Sequence, residues 1–215
     1  MNLHELIRRA GVWRAGELSS EAGLGTGFEA LDSLLPGGGW PRTGLTEILS
    51  TATGIGALRL LLPALARLSR EGGWLIWVCP PHVPYSPALR DYGVDLARVL
   101  IVELPEIAGR THTQALWACE QALRFTDCAA ALLWLEDASH LQLRRLQLAA
   151  VAGATWGLVF RPARFAAQAS PAPCRLLLEP AQDNSTAVPV VPSPLEVTLL
   201  KARGGHHGAH CRLEV

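Results

Sequence analysis

Leu45-Thr-Glu-Ile-Leu49, Ser50-Thr-Ala-Thr-Gly-Ile-Gly56 and the stretch Ala57 to Arg70 follow one another without a gap. The first run reads as a strand and the second as a loop of small residues. The third places Leu58, Leu61, Leu62, Leu65 and Leu68 at helical spacing. Strand, glycine-bearing loop and helix in this order form the layout in which backbone N–H groups and a helix N-terminus cradle phosphate. A working loop of that kind also needs a lysine on the β/γ-phosphates and a hydroxyl on Mg²⁺. Gly56 and Ala57 stand in their places, and the chain's single lysine is Lys201, near the C-terminus. Ser50, Thr51, Thr53, Gly54 and Gly56 are therefore read as a degenerate phosphate loop. The expectation is a nucleotide-binding fold without ATPase chemistry: no catalytic residue and no cofactor.

Outward from this loop, strand and helix patterns alternate. Trp74 to Cys79 is a continuous apolar run, as in a strand buried on both faces. Val99 to Glu103, Ala129 to Leu135 and Gly157 to Phe160 read as further strands, with helices over Thr111 to Phe125 and Leu141 to Ala152. This alternation predicts an α/β fold with a mainly parallel central sheet flanked by helices. Arg175 to Glu179 adds a strand. Leu195 to Leu200 and His210 to Val215, separated by Gly204-Gly-His-His-Gly208, predict a C-terminal antiparallel hairpin. Residues 1–22 read as an N-terminal helix and linker, and residues 23–215 as the core domain.

The chain has 215 residues, 49% of them hydrophobic, and 19 basic against 19 acidic residues. That is ample for one buried core, and the zero net charge does not favour DNA or a membrane as partner. No apolar stretch reaches the ~18 residues a span requires. Five cysteines without a C-x-x-C pair read as buried thiols in a reducing, cytoplasmic protein. His206, His207, His210 and Cys211 lie close in sequence, but adjacent residues of a hairpin point to opposite sides, so a solvated turn is read there and no metal site.

Three stretches carry a resemblance to a known family. Thr26-Gly-Phe-Glu-Ala-Leu-Asp-Ser-Leu-Leu35 is followed by Gly-Gly-Gly-Trp-Pro-Arg42, and Leu199-Leu-Lys-Ala-Arg-Gly-Gly205 stands near the C-terminus. They resemble the start and end of the RecA recombinase core, and with Gly-Gly-Gly-Trp-Pro-Arg42 the strand ends Trp134-Leu135 and Phe160-Arg-Pro162 make the chain as a whole resemble the RecA/SulA-related accessory proteins of the ImuA family. The resemblance implies a RecA-like core and a non-catalytic adaptor in damage-induced (SOS) translesion DNA synthesis. Its implied partners are an ImuB-type Y-family-like protein and RecA recombinase, with DNA and a second copy of the chain left open. Two rival readings are kept: a SulA-like inhibitor of the tubulin-like division protein, and a weak atypical ATPase.

The resemblance also assigns residues. Lys201 and Arg203 match two cations that reach across the recombinase interface toward a neighbour's ATP. Arg161 and Arg164 lie where a recombinase meets nucleic acid. Leu6 and Trp13, on the apolar side of the N-terminal segment, are read as partner-binding, and Trp40, beside a loop, as a further candidate for a partner surface.

Overall fold

The computed structural model describes residues 22–105, 111–181, 194–202, 204 and 207–215. All eight of its strands join one sheet in the order β3-β2-β4-β5-β1-β6-β7-β8. The strands are β1 (Gly44–Ser50), β2 (Trp74–Val78), β3 (Val99–Val102), β4 (Cys128–Trp134), β5 (Trp156–Pro162), β6 (Cys174–Pro180), β7 (Leu195–Ala202) and β8 (His210–Leu213). From β3 to β6 every pairing is parallel; β6–β7 and β7–β8 are antiparallel. The expected mixed architecture, with helices against a mostly parallel sheet and a closing hairpin, is what forms.

The described residues form five α-helices: α1 (Glu29–Leu34) ahead of the first strand, and α2 (Ala57–Arg70), α3 (Ser86–Asp91), α4 (Thr111–Arg124) and α5 (His140–Ala152) between strands. Single 3-10 turns stand at Leu96–Arg98 and Ala163–Phe165. Neither α3 nor the two 3-10 turns is marked by a long apolar period in the sequence.

Alternation along each strand splits the core in two. Ile48, Leu75, Trp77, Leu132, Trp156 and Leu158 face one side, where α2 lays Leu61, Leu62 and Leu65 over them. Leu45, Ile76, Val78, Ala131, Leu133 and Val159 face the other, under α4 and α5. The helix α5 is fixed at its start by a capping box: Ser139 Oγ accepts from Gln142 N, and Gln142 Oε1 accepts from Ser139 N at 2.8 Å.

Trp40 does not lie at a surface. Leu24 and Trp40 exchange backbone hydrogen bonds of 2.8 and 2.7 Å, and the Trp40 ring packs 5.6 Å from that of Trp156 with no exposed area. The Trp156 indole in turn donates to Thr46 Oγ1 at 3.0 Å. On the same face, Trp134 stacks on Phe160 at 4.6 Å and meets Trp77 at 5.9 Å. The fully buried Leu132 lies on this face of the sheet. Leu132→Ala should lower unfolding free energy by about 2–5 kcal/mol, measured by urea denaturation with an unchanged slope.

Candidate functional site

Charge inside the sheet is the most unusual local feature. Glu47 sits mid-strand in β1, opposite Val159 of β5 and Arg175 of β6, and is fully buried. Its Oε1 accepts from Arg161 Nη1 at 3.2 Å and from Ser170 Oγ at 3.0 Å; its Oε2 accepts from Arg175 Nε at 2.6 Å. The remaining guanidinium donors reach backbone. Arg161 Nη2 donates to Ala138 O at 3.1 Å, and Arg175 donates to Ala166 O at 3.2 Å and Phe165 O at 3.0 Å. The Phe165 ring lies 4.3 Å from the Arg161 guanidinium and 4.8 Å from that of Arg164, within cation–π range. The network binds the β5–β6 connection down onto the sheet.

This geometry relocates several sequence candidates. Arg161, expected at nucleic acid, keeps 3% of its surface and is spent on Glu47. Arg164 is exposed but leans on Glu136, donating to its carbonyl at 3.0 Å and lying 3.5 Å from its carboxylate. Lys201 donates to Ser170 O at 2.8 Å, opposite Arg175, so it joins the same clamp. The register shift beside Arg175 places Lys201 there: without it, the alternation of Leu195, Val197 and Leu199 would turn it to the α2 side. Arg203, Leu6 and Trp13 fall outside the described residues.

The loop after β1 is short and exposed at Thr51 and Thr53, with Gly54 and Gly56 at φ +77° and +100°. Those angles suit glycine. A Cβ at Gly56 would come within 2.9 Å of Val215 Cγ2, and Arg59 Nη1 donates to Val215 O at 3.2 Å. The start of α2 is thus packed against the chain's own last described residue. Asp137, one of the two acids that follow β4, lines a cleft of about 630 Å³ with His112, Ser139, His140 and Gln168. No group of three or more metal-ligating side chains occurs among the described residues, and none of their helices is long and apolar enough to cross a membrane.

Comparison with known proteins decides the family. The family model described as "Cell division inhibitor SulA" matches residues 45–157, more than half of the chain. The chain belongs to the SulA family. It is 34% identical over 134 residues to the "Cell division inhibitor SulA" of Edwardsiella piscicida, covering 61% of this chain and 77% of that protein. With the protein of the same description from Yersinia pestis (strain Pestoides F) it shares 33% over 104 residues, 48% of this chain and 59% of that one. The crystal structure of SulA from Pseudomonas aeruginosa is 28% identical with a TM-score of 0.45, spanning 54% of this chain and 97% of that one.

This assignment corrects the ImuA resemblance, and with it the translesion adaptor role, the ImuB-type and RecA partners and the degenerate phosphate loop. Ser50 to Gly56 is the first strand-to-helix connection of a SulA-family domain. The motifs behind the ImuA reading mostly flank the matched segment, and the segment itself carries the family signal. Family members are inhibitors, and this chain is not an enzyme.

Sequence reasoning missed the Glu47 clamp. The available signal was an acidic residue inside the apolar run Leu45 to Leu49, with an arginine inside each of two further strand runs. It also missed the surface of the family segment. Val83 and Tyr85 are 77% and 73% exposed on the proline-framed β2–β3 connection, and all nine exposed large hydrophobic side chains among the described residues lie within 45–157.

Two outcomes test the site. Glu47→Gln leaves two buried guanidinium groups without a counter-charge, and should cost about 3–5 kcal/mol by chemical denaturation. Replacing Glu47, Arg161 and Arg175 together with apolar residues of similar volume should cost far less. Burial pushes the Cys128 and Cys174 thiols up to about 12 and Cys119 higher still, so at pH 8 they stay protonated. Desolvation also raises the partly exposed Cys79 and Cys211. Iodoacetamide should therefore label Cys79 and Cys211 first in the native protein, faster as pH rises, and all five thiols only after unfolding, as read by mass spectrometry.

Proposed function

We propose that this chain is a cell division inhibitor that binds the tubulin-like division protein in the cytoplasm and blocks its assembly. The observation that carries the reading is the family match over 45–157, together with the confinement of every exposed large hydrophobic side chain among the described residues to that segment. A binding protein needs preformed apolar anchors, since ordering a flexible loop on contact costs affinity.

The β2–β3 connection supplies them. Pro80, Pro81, Pro84 and Pro87 restrict its backbone, Val83 and Tyr85 project from it, and Tyr92 is exposed at the end of α3. The buried Leu89 and Val94 hold the segment to the α2 side of the core. Ser69 Oγ also accepts from Asp95 N at 3.0 Å. A rigid loop with outward-facing aromatic and aliphatic groups suits docking onto a pocketed protein surface. We further read the strand order and the parallel-to-antiparallel change at β6 as supporting a RecA-like arrangement of residues 23–215 as one domain.

The test is polymer assembly by the purified division protein with GTP, followed by light scattering and sedimentation. The wild-type chain should suppress polymer yield in proportion to its concentration. Val83→Ser with Tyr85→Ser should raise the concentration needed by about tenfold or more while leaving the thermal melt unchanged. Full polymer yield at excess wild-type chain would overturn the reading.

A further inference from the structure

We propose that the outer face of α4 and α5 is a second docking surface, separate from the β2–β3 connection, and that it takes an amphipathic helix of a partner protein bordered by carboxylates. Both helices lead from the C-terminal ends of parallel strands back to the start of the next, so they run side by side in the same direction. Glu120 on α4 ties them: its Oε2 accepts from Arg145 Nη2 on α5 at 2.6 Å, and its Oε1 from Arg124 Nη2 at 3.2 Å. One turn earlier stand Trp117 on α4 and Leu141 on α5, 61% and 69% exposed. Leu148 and Val151 continue the α5 row at helical spacing, each more than half exposed.

Charge selects the occupant. Both oxygens of Glu120 are taken by Arg124 and Arg145. Arg144, three residues after Leu141 and four before Leu148, has no ion-pair partner among the described residues. The face is therefore apolar with a net positive border. A second copy docked by two-fold symmetry would bring these arginines together. The first fifteen residues of the chain, with Arg8, Arg9 and Arg14 against Glu5, also carry the wrong sign. Nucleic acid would meet the arginines but leave the four apolar side chains without a use. A helix with an apolar stripe and flanking Asp or Glu satisfies both features, because a carboxylate against Arg144 sits between two apolar contacts.

The probe is a fluorescein-labelled amphipathic helical peptide with leucines along one face and glutamates beside it, compared with a twin bearing lysines at the glutamate positions. Anisotropy with the full chain should show the glutamate peptide binding and the lysine twin failing. Arg144→Glu should weaken the glutamate peptide by about tenfold or more and admit the lysine twin; Leu148→Ser should weaken binding in either pairing. Both positions are exposed, so thermal melts should match wild type. Equal binding of the two peptides, or none, overturns the proposal. Flotation of the chain with phosphatidylglycerol vesicles that Leu148→Ser abolishes would overturn it in favour of a lipid surface. A dimer in sedimentation velocity that Leu148→Ser dissolves would do so in favour of a second copy. Suppression of division-protein polymer should persist in Arg144→Glu. Its loss would merge this face with the docking surface proposed above and end the claim of a separate site.

Discussion

One carboxylate, that of Glu47, holds together the part of the sheet that helices do not cover. On the face shared with α4 and α5, the helices roof β2, β4 and the near part of β1, while among the described residues no helix packs over β6 and β7 on that side. The chain closes this gap with a turn and a loop, 163–173, which have too few apolar side chains to stay down by burial alone. Arg161 comes from β5 and Arg175 from β6, and Ser170 comes from the loop itself. All three converge on Glu47, and the arginines' spare donors take the carbonyls of Ala138, Phe165 and Ala166. A buried carboxylate facing two guanidinium groups is not an efficient source of stability, because desolvating three charges offsets most of their attraction. What it supplies is geometry: few arrangements of β1, β5, β6 and the loop satisfy every donor at once.

The same arrangement explains why strands were easier to read than sites. Runs such as Trp74 to Val78 or Cys128 to Trp134 are apolar for their whole length, and a strand packed on both faces must read that way. Helix α2 announces itself through its leucine period. A lone arginine in a strand announces nothing. Arg161 lies 114 residues from Glu47 in sequence, and Arg175 lies 128 away, so the pairing that buries them is set by the parallel register and not by any local pattern. Read singly, Arg161 and Lys201 looked like cations looking for phosphate. In the fold, Arg161 is paired inside the protein and Lys201 is hydrogen-bonded to the loop. Trp40 was misplaced for a related reason: its neighbours Gly37 to Gly39 look like loop, yet they bring the indole under the sheet against Trp156.

The family assignment turns on the same contrast. Order and spacing of short motifs along the chain suggested one relationship, while the segment that forms β1 to the start of β5 carries another. That segment holds the surface as well as the signal. Among the described residues, the strands added after it, β6 to β8, expose no large hydrophobic side chain; their apolar residues extend the core over α1 and α2. The addition thus enlarges the buried side of the domain and leaves the apolar outer surface of the matched segment available.

Binding and catalysis place different demands on such a surface. A phosphoryl-transfer site needs a lysine, a metal ligand and an activating group held together in a dry pocket. Here Lys201 lies on the opposite face of the sheet from α2 and is committed to Ser170, and the loop before α2 is packed against Val215. Inhibition by association needs none of that apparatus. It needs rigid elements that present anchors without ordering cost, and prolines in the β2–β3 connection and an ion-paired pair of parallel helices provide this on two separate parts of the molecule. The interior charges specify the fold, and in the proposed function the exposed apolar side chains carry the contacts, so substitutions at Glu47 and at Val83 are expected to act through different terms: the first through the stability of the native sheet, the second through association.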